Sequence, residues 1–151
     1  IEVKSGSAKN TEGFEAFKRI DKFVIVSKSF DHTKAQSIAE NLKKEMNIQT
    51  FVCKTEPDYI YNIKTGERLN TNAKIYALSG IGQPEQFYAF LKDYEIINKI
   101  TFDDHHQYNE TELPNGIIVT TEKDAVKMKN FKRDNIYALK LKISLDVKNL
   151  I

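Results

Sequence analysis

One cysteine, Cys53, among 151 residues excludes an internal disulfide, and a reducing compartment is the setting this favours. No apolar run approaches the ~20 residues of a membrane span, so a soluble chain is expected. There is no excess of one charge either: 23 Lys and Arg stand against 21 Asp and Glu, a net +2, which asks for neither nucleic acid nor a strongly acidic partner. The chain opens Ile1-Glu2-Val3-Lys4 without an initiator Met, and no signal-peptide pattern follows; a piece of something longer is expected. What is present suits a folded domain. Hydrophobic residues make up 40% and charged ones 29%, and at this length roughly two thirds of the unfolded surface can be buried, so a core needs neither disulfides nor a structural metal.

Short β-branched runs alternate with amphipathic ones, and no internal repeat interrupts them. Residues 4–12 are small and polar and read as a loop, and Phe14, Phe17 and Ile20 fit a short helix. Residues 21–27 read as a buried strand. A helix capped at Asp31 or Thr33 runs to about Met46, with Ala35, Ile38, Ala39, Leu42 and Met46 on one face. Strands follow over residues 49–54, 74–79, 96–102, 116–120 and 135–143, and helices over 84–93, 109–113 and 121–130. The pattern predicts an α/β fold, a mostly parallel sheet with helices on both faces, because parallel neighbours need a helical crossover. Residues 1–151 are expected to form a single domain, with 56–72 as an extended connector or a hairpin turning at Thr65-Gly66.

Three polar stretches follow strands, where ligands of such sheets gather. Ser79-Gly80-Ile81-Gly82-Gln83-Pro84-Glu85 offers a tight turn and N–H groups for an anion, or simply joins a strand to a helix. It is no dinucleotide fingerprint, since position 85 is Glu where a third glycine is required. Phe102-Asp103-Asp104-His105-His106-Gln107-Tyr108 gathers groups that move protons or bind metal near neutral pH, or it is a solvated loop. Neighbouring residues on extended backbone face opposite ways, so the two histidines are not expected to serve one site. Neither His32, read as part of a helix start, nor Cys53, read as a small core residue, has ligand spacing to them. Thr120-Thr121-Glu122-Lys123-Asp124-Ala125-Val126-Lys127 reads as a capping box, with Thr121 as cap and Asp124 closing it. Lys123 and Lys127 then share a helical face and are expected to be solvated.

Taken together and in order, these three stretches resemble the C-terminal half of tetraacyldisaccharide 4′-kinase, the lipid A pathway kinase of Gram-negative bacteria. The close resemblance covers about residues 74–130; residues 1–73 match only loosely. It implies ATP-dependent phosphorylation, with magnesium, of the 4′-hydroxyl of a lipid A disaccharide 1-phosphate at the cytoplasmic face of the inner membrane. It also implies an N-terminal lobe that carries the P-loop, the metal-binding acids and a catalytic-base aspartate. By position in the Asp-His motif, His105 is the residue that assists this aspartate, with Asp104 before it. Gly80, Gly82, Gln83, His106, Thr121 and Lys123 are carried over as substrate- or phosphate-proximal, and no metal ligand is assigned in this chain. No G-x-x-x-x-G-K-[ST] occurs, so the chain is expected to be an inactive lobe when alone, with ATP and Mg²⁺ bound mainly elsewhere. Two readings compete with this one: a non-catalytic α/β module that binds an anion or another ligand, and a small metal-dependent hydrolase built on Asp103, Asp104, His105 and His106.

Overall fold

The computed structural model describes residues 22–27 and 33–145. The helix expected around Phe14, Phe17 and Ile20 lies outside the described residues, as does His32. The elements run β1 (Lys22–Ser27), α1 (Thr33–Met46), β2 (Gln49–Asn62), β3 (Lys74–Ser79), α2 (Glu85–Phe90), β4 (Glu95–Thr101), a 3₁₀ turn (Glu110–Glu112), β5 (Ile117–Thr121), α3 (Glu122–Lys127) and β6 (Ile136–Leu145). They fall into two compact units, one within residues 1–54 and 144–151, the other Thr55–Ile143.

In the first unit β1 pairs in parallel with the leading part of β2, Lys22 opposite Gln49 and Ser27 opposite Lys54. Helix α1 connects them and buries Ala35, with Ile38, Ala39, Leu42 and Met46 half-buried along the same stripe. Asn47, at φ 51°, ends the helix and returns its N–H to the Lys43 carbonyl at 3.0 Å. Asparagine tolerates this left-handed conformation better than most residues. Cys53 is a free thiol buried in β2.

The second unit holds the rest of β2 together with β3 to β5 and β6 as far as Ile143, hydrogen-bonded in the order β2-β6-β5-β3-β4. The pairs β3–β4, β3–β5 and β5–β6 are parallel, and α2 and α3 provide two of the crossovers this requires. Alternation along β3 sends side chains into two cores. Ile75 and Ala77 pack with Phe87 and Leu91 on one face, and Leu78 packs with Leu113 and Met128 on the other, as a period of two dictates. The second unit thus forms the expected α/β sheet, packed on both faces. No helix among the described residues is long and apolar enough to cross a membrane.

Local chemistry shifts several boundaries. β2 runs past Lys54 to Asn62, where the Asn62 carbonyl oxygen Oδ1 accepts the N–H groups of Lys64 and Thr65 at 2.9 and 3.1 Å. Gly66, at φ 77°, completes the turn, and Leu69 N–H reaches back to the Ile60 carbonyl at 2.9 Å. α2 and α3 stop earlier than their patterns suggest. Leu91 N–H bonds to Tyr88 and Tyr94 to Leu91, and Met128 bonds to Ala125 and Phe131 to Met128, a tightening to i,i+3 that ends α-helical geometry.

Candidate functional site

Because β3, β4 and β5 are parallel, their carboxyl ends share one edge of the second unit. The glycine turn leaves β3 there, the Asp103–Tyr108 loop leaves β4, and Thr121 ends β5 as the cap of α3. The Phe102 N–H on the Ser79 carbonyl, at 2.8 Å, ties the first two together.

The outer part of this edge is ionic. Asp104 Oδ1 accepts Lys123 Nζ at 2.9 Å and the His105 N–H at 3.1 Å. His105 Nε2 lies 3.5 Å from Asp104 Oδ2, and the imidazole side chain is 79% exposed. The His105 backbone sits at φ 67°, a conformation that costs an L-residue roughly 1 kcal/mol and must be held by its neighbours. The Lys123 hydrogen bond, reinforced by the His105 and Lys123 charges, draws the Asp104 carboxyl below its ordinary range. Asp104 is therefore an ionised carboxylate at neutral pH, fixed from α3 and set beside an exposed imidazole.

The inner part centres on Asp124, which is fully buried. Its Oδ2 accepts the Gly80 N–H at 2.9 Å and the Thr121 hydroxyl at 2.8 Å, while Thr121 Oγ1 accepts the Asp124 N–H at 3.1 Å. The expected capping box is thus half-formed: Thr121 caps the helix, but the Asp124 carboxylate turns to the glycine turn after β3. Lys127 Nζ lies 3.7 Å from Asp124 Oδ1 and donates to the His106 carbonyl at 3.0 Å. A Cβ at Gly80 would fall on the Tyr108 hydroxyl and come within 3.2 Å of Asp124 Oδ1, so the close approach of loop and turn requires glycine there. Burial, then the Asp124 carboxylate beside it, hold the Tyr108 phenol far above its usual pKa and keep it neutral. The hydroxyls of Ser79, Thr120 and Tyr108, with Asp124 Oδ1, are shielded from solvent without a hydrogen-bond partner among the described residues.

His106 belongs to a third set of contacts. Its ring stacks on Phe102 at 4.3 Å and meets Tyr108 edge-on at 4.9 Å, and its Nε2 lies 2.9 Å from Glu112 Oε1. The Asn109 N–H, then His106, hold the Glu112 carboxyl below its usual range. The two histidines have separate partners, as neighbouring positions on an open loop lead one to expect. Gly82 and Gln83 are exposed, with open space where a Gly82 side chain would be. The structure therefore brings Asp104, His105 and Lys123 together, joins Gly80 to Thr121 through Asp124, and leaves Gly82, Gln83 and the His106 ring outside both groups. Among the described residues no three of His, Cys, Asp and Glu are placed to hold a metal ion. Asp104 is engaged by Lys123, and His106 by Glu112.

Asp124, Lys127 and Tyr108 carry more of this arrangement than their sequence context announces. One signal was available: a capping box closes with Glu or Gln, and position 124 holds the shorter Asp. Glu122 accepts the Tyr61 hydroxyl at 3.1 Å and Lys140 Nζ at 3.0 Å.

Comparison with known proteins gives a consistent result. The family model described as Tetraacyldisaccharide-1-P 4'-kinase matches residues 10–151. A Tetraacyldisaccharide 4'-kinase from Blochmanniella floridana is 32% identical over 126 residues, covering 76% of this chain and 38% of that protein. One from Francisella tularensis subsp. novicida is 28% identical over 147 residues, covering 90% and 43%. The fold resembles the crystal structure of LpxK from Aquifex aeolicus in complex with ATP, with a TM-score of 0.61 at 23% identity, over 91% of this chain and 42% of that one. The chain thus spans less than half the length of each of these relatives.

Proposed function

Since the chain belongs to the tetraacyldisaccharide-1-P 4'-kinase family, we propose that it is the C-terminal lobe of an ATP-dependent kinase that phosphorylates the 4′-hydroxyl of a lipid A disaccharide 1-phosphate. The observation that carries this reading is the Asp104–His105 pair, an exposed imidazole 3.5 Å from a carboxylate that Lys123 fixes at 2.9 Å. Phosphoryl transfer leaves the protein mainly positioning and charge stabilisation, plus a group to receive the hydroxyl proton. In this reading that group is an aspartate of the other lobe, and His105 orients it and shares the proton. Asp104 sets the imidazole and Lys123 sets Asp104. Gly80, Gly82, Gln83, His106, Thr121 and Lys123 line the substrate or phosphate side. Among the described residues no group fits a metal, and the chain has no P-loop sequence; in this reading Mg²⁺ and the nucleotide are held mainly by the other lobe. The enzyme then works at the cytoplasmic face of the inner membrane, where its lipid substrate lies.

The test compares this chain, the longer kinase containing it and the His105→Ala variant of the longer protein, all assayed for transfer from ATP to the disaccharide. No turnover by the chain alone is expected, together with a fall of roughly 10²-fold in kcat for His105→Ala at unchanged thermal stability. Turnover by the chain alone, or an unchanged kcat in the variant, overturns the corresponding part of the proposal.

A further inference from the structure

We infer that Lys127, seated on buried Asp124, is a positioning residue that holds the His105 backbone in place for the reaction. The inference rests on the role proposed above for His105. Lys127 Nζ donates to the His106 carbonyl at 3.0 Å, on the residue directly after His105. His105 stands at φ 67°, a geometry a loop residue does not keep unaided. Its ring and the Asp104 carboxylate reach solvent; on the C-terminal side the His106 N–H donates to the Asp103 carbonyl at 3.1 Å, and the Lys127 bond is a second tie, on the carbonyl of the same residue.

Lys127 supplies this second tie from a rigid base. Its ammonium lies 3.7 Å from Asp124 Oδ1, its side chain is only 21% exposed, and it passes within 5.5 Å of the Tyr108 ring centroid. Asp124 in turn is held by the Gly80 N–H and the Thr121 hydroxyl. One buried carboxylate thereby links the turn after β3 and the cap of α3 and, through Lys127, the loop after β4. Lys123, one turn earlier on the same helix, acts on the Asp104 side chain; Lys127 acts on the main chain that carries the imidazole.

The experiment uses the longer kinase with Lys127→Met, which keeps most of the aliphatic stem but removes the donor, Lys127→Arg, which keeps a donor, and Lys129→Met as an exposed charge control. Expected for Lys127→Met is a loss of ~10–100-fold in kcat with both KM values within about twofold, partial rescue by Lys127→Arg, and no change for Lys129→Met. The decisive readout is a cycle with His105→Ala: once the imidazole is gone, Lys127→Met should cost almost nothing further. Independent, multiplicative losses overturn the inference. A second readout does not depend on activity. With histidine carrying ¹³C at its carbonyl, the His106 signal should move upfield in Lys127→Met and stay in place in Lys129→Met. An unmoved signal overturns the inference whatever His105 does. If the signal moves while His105→Ala keeps full kcat, the contact stands, and it is the catalytic assignment of His105, with the positioning role built on it, that falls.

Discussion

Lys123 and Lys127 stand one turn apart on α3, and each meets an aspartate, but the two pairs live in different media. Lys123 and Asp104 are 2.9 Å apart with both side chains about half exposed, at 48% and 46%. Lys127 and Asp124 are farther apart, 3.7 Å, yet their exposures are 21% and 0%. Distance alone would rank the outer pair first. Solvent reverses that order, because exposed pairs contribute little after screening and side-chain ordering, whereas removing one partner of a buried pair strands the other without water. The outer pair is suited to orienting an exposed imidazole that must remain accessible, and the inner pair to fixing backbone.

The sharpest test of this contrast removes the inner carboxylate. Asp124→Ala leaves the Gly80 N–H and the Thr121 hydroxyl without their acceptor and the Lys127 ammonium without its counter-charge, and should cost about 3 kcal/mol in urea denaturation at neutral pH. A loss no larger than that of an ordinary surface substitution would place the two pairs on the same footing. Gly80→Ala comes next, at about 1–3 kcal/mol by the same measurement. The added methyl must push the Tyr108 hydroxyl out of its place, and the ring cannot move freely because Phe102 and His106 pack against it.

The smallest effect belongs to Asp104→Asn. At neutral pH thermal stability should be nearly unchanged, with the variant slightly below the parent. The sign of the pH dependence follows from the lowered Asp104 value: its contribution is present above the ordinary aspartate range and is lost as pH falls through the lowered folded value. Melting temperatures of parent and variant should therefore converge in strong acid. A gap that persists there would mean that the carboxylate charge is not what the variant removed.

Much of this architecture is legible locally. The alternation in Lys74–Ser79 and the i, i+3, i+4 stripe of Thr33–Met46 appear in the structure at the expected places, since each is a statement about which side chains share a face. The polar rim was legible as three segments following three strands. Its wiring was not. That Asp124 bonds to Gly80, 44 positions away, depends on β3 lying against β5, and no spacing along the chain encodes that adjacency. Arg133 makes the same point: its guanidinium donates to the carbonyls of Glu110, Leu113 and Pro114, closing the loop ahead of β5 by contacts to main chain that carry no residue signature. Helix ends escape the local pattern for a related reason. Phe90 and Lys127 end their helices because the next residues turn inward as Leu91 and Met128, both fully buried, so tertiary packing rather than propensity sets the stop.

The buried state of Cys53 has a practical side. It is the sole thiol of the sequence and is 5% exposed, so a maleimide dye has almost no native target in the folded chain. Gly82 faces open space on the rim. A cysteine introduced there gives one addressable attachment point next to the His105 loop, where a fluorophore can report by its emission when another lobe or a ligand arrives.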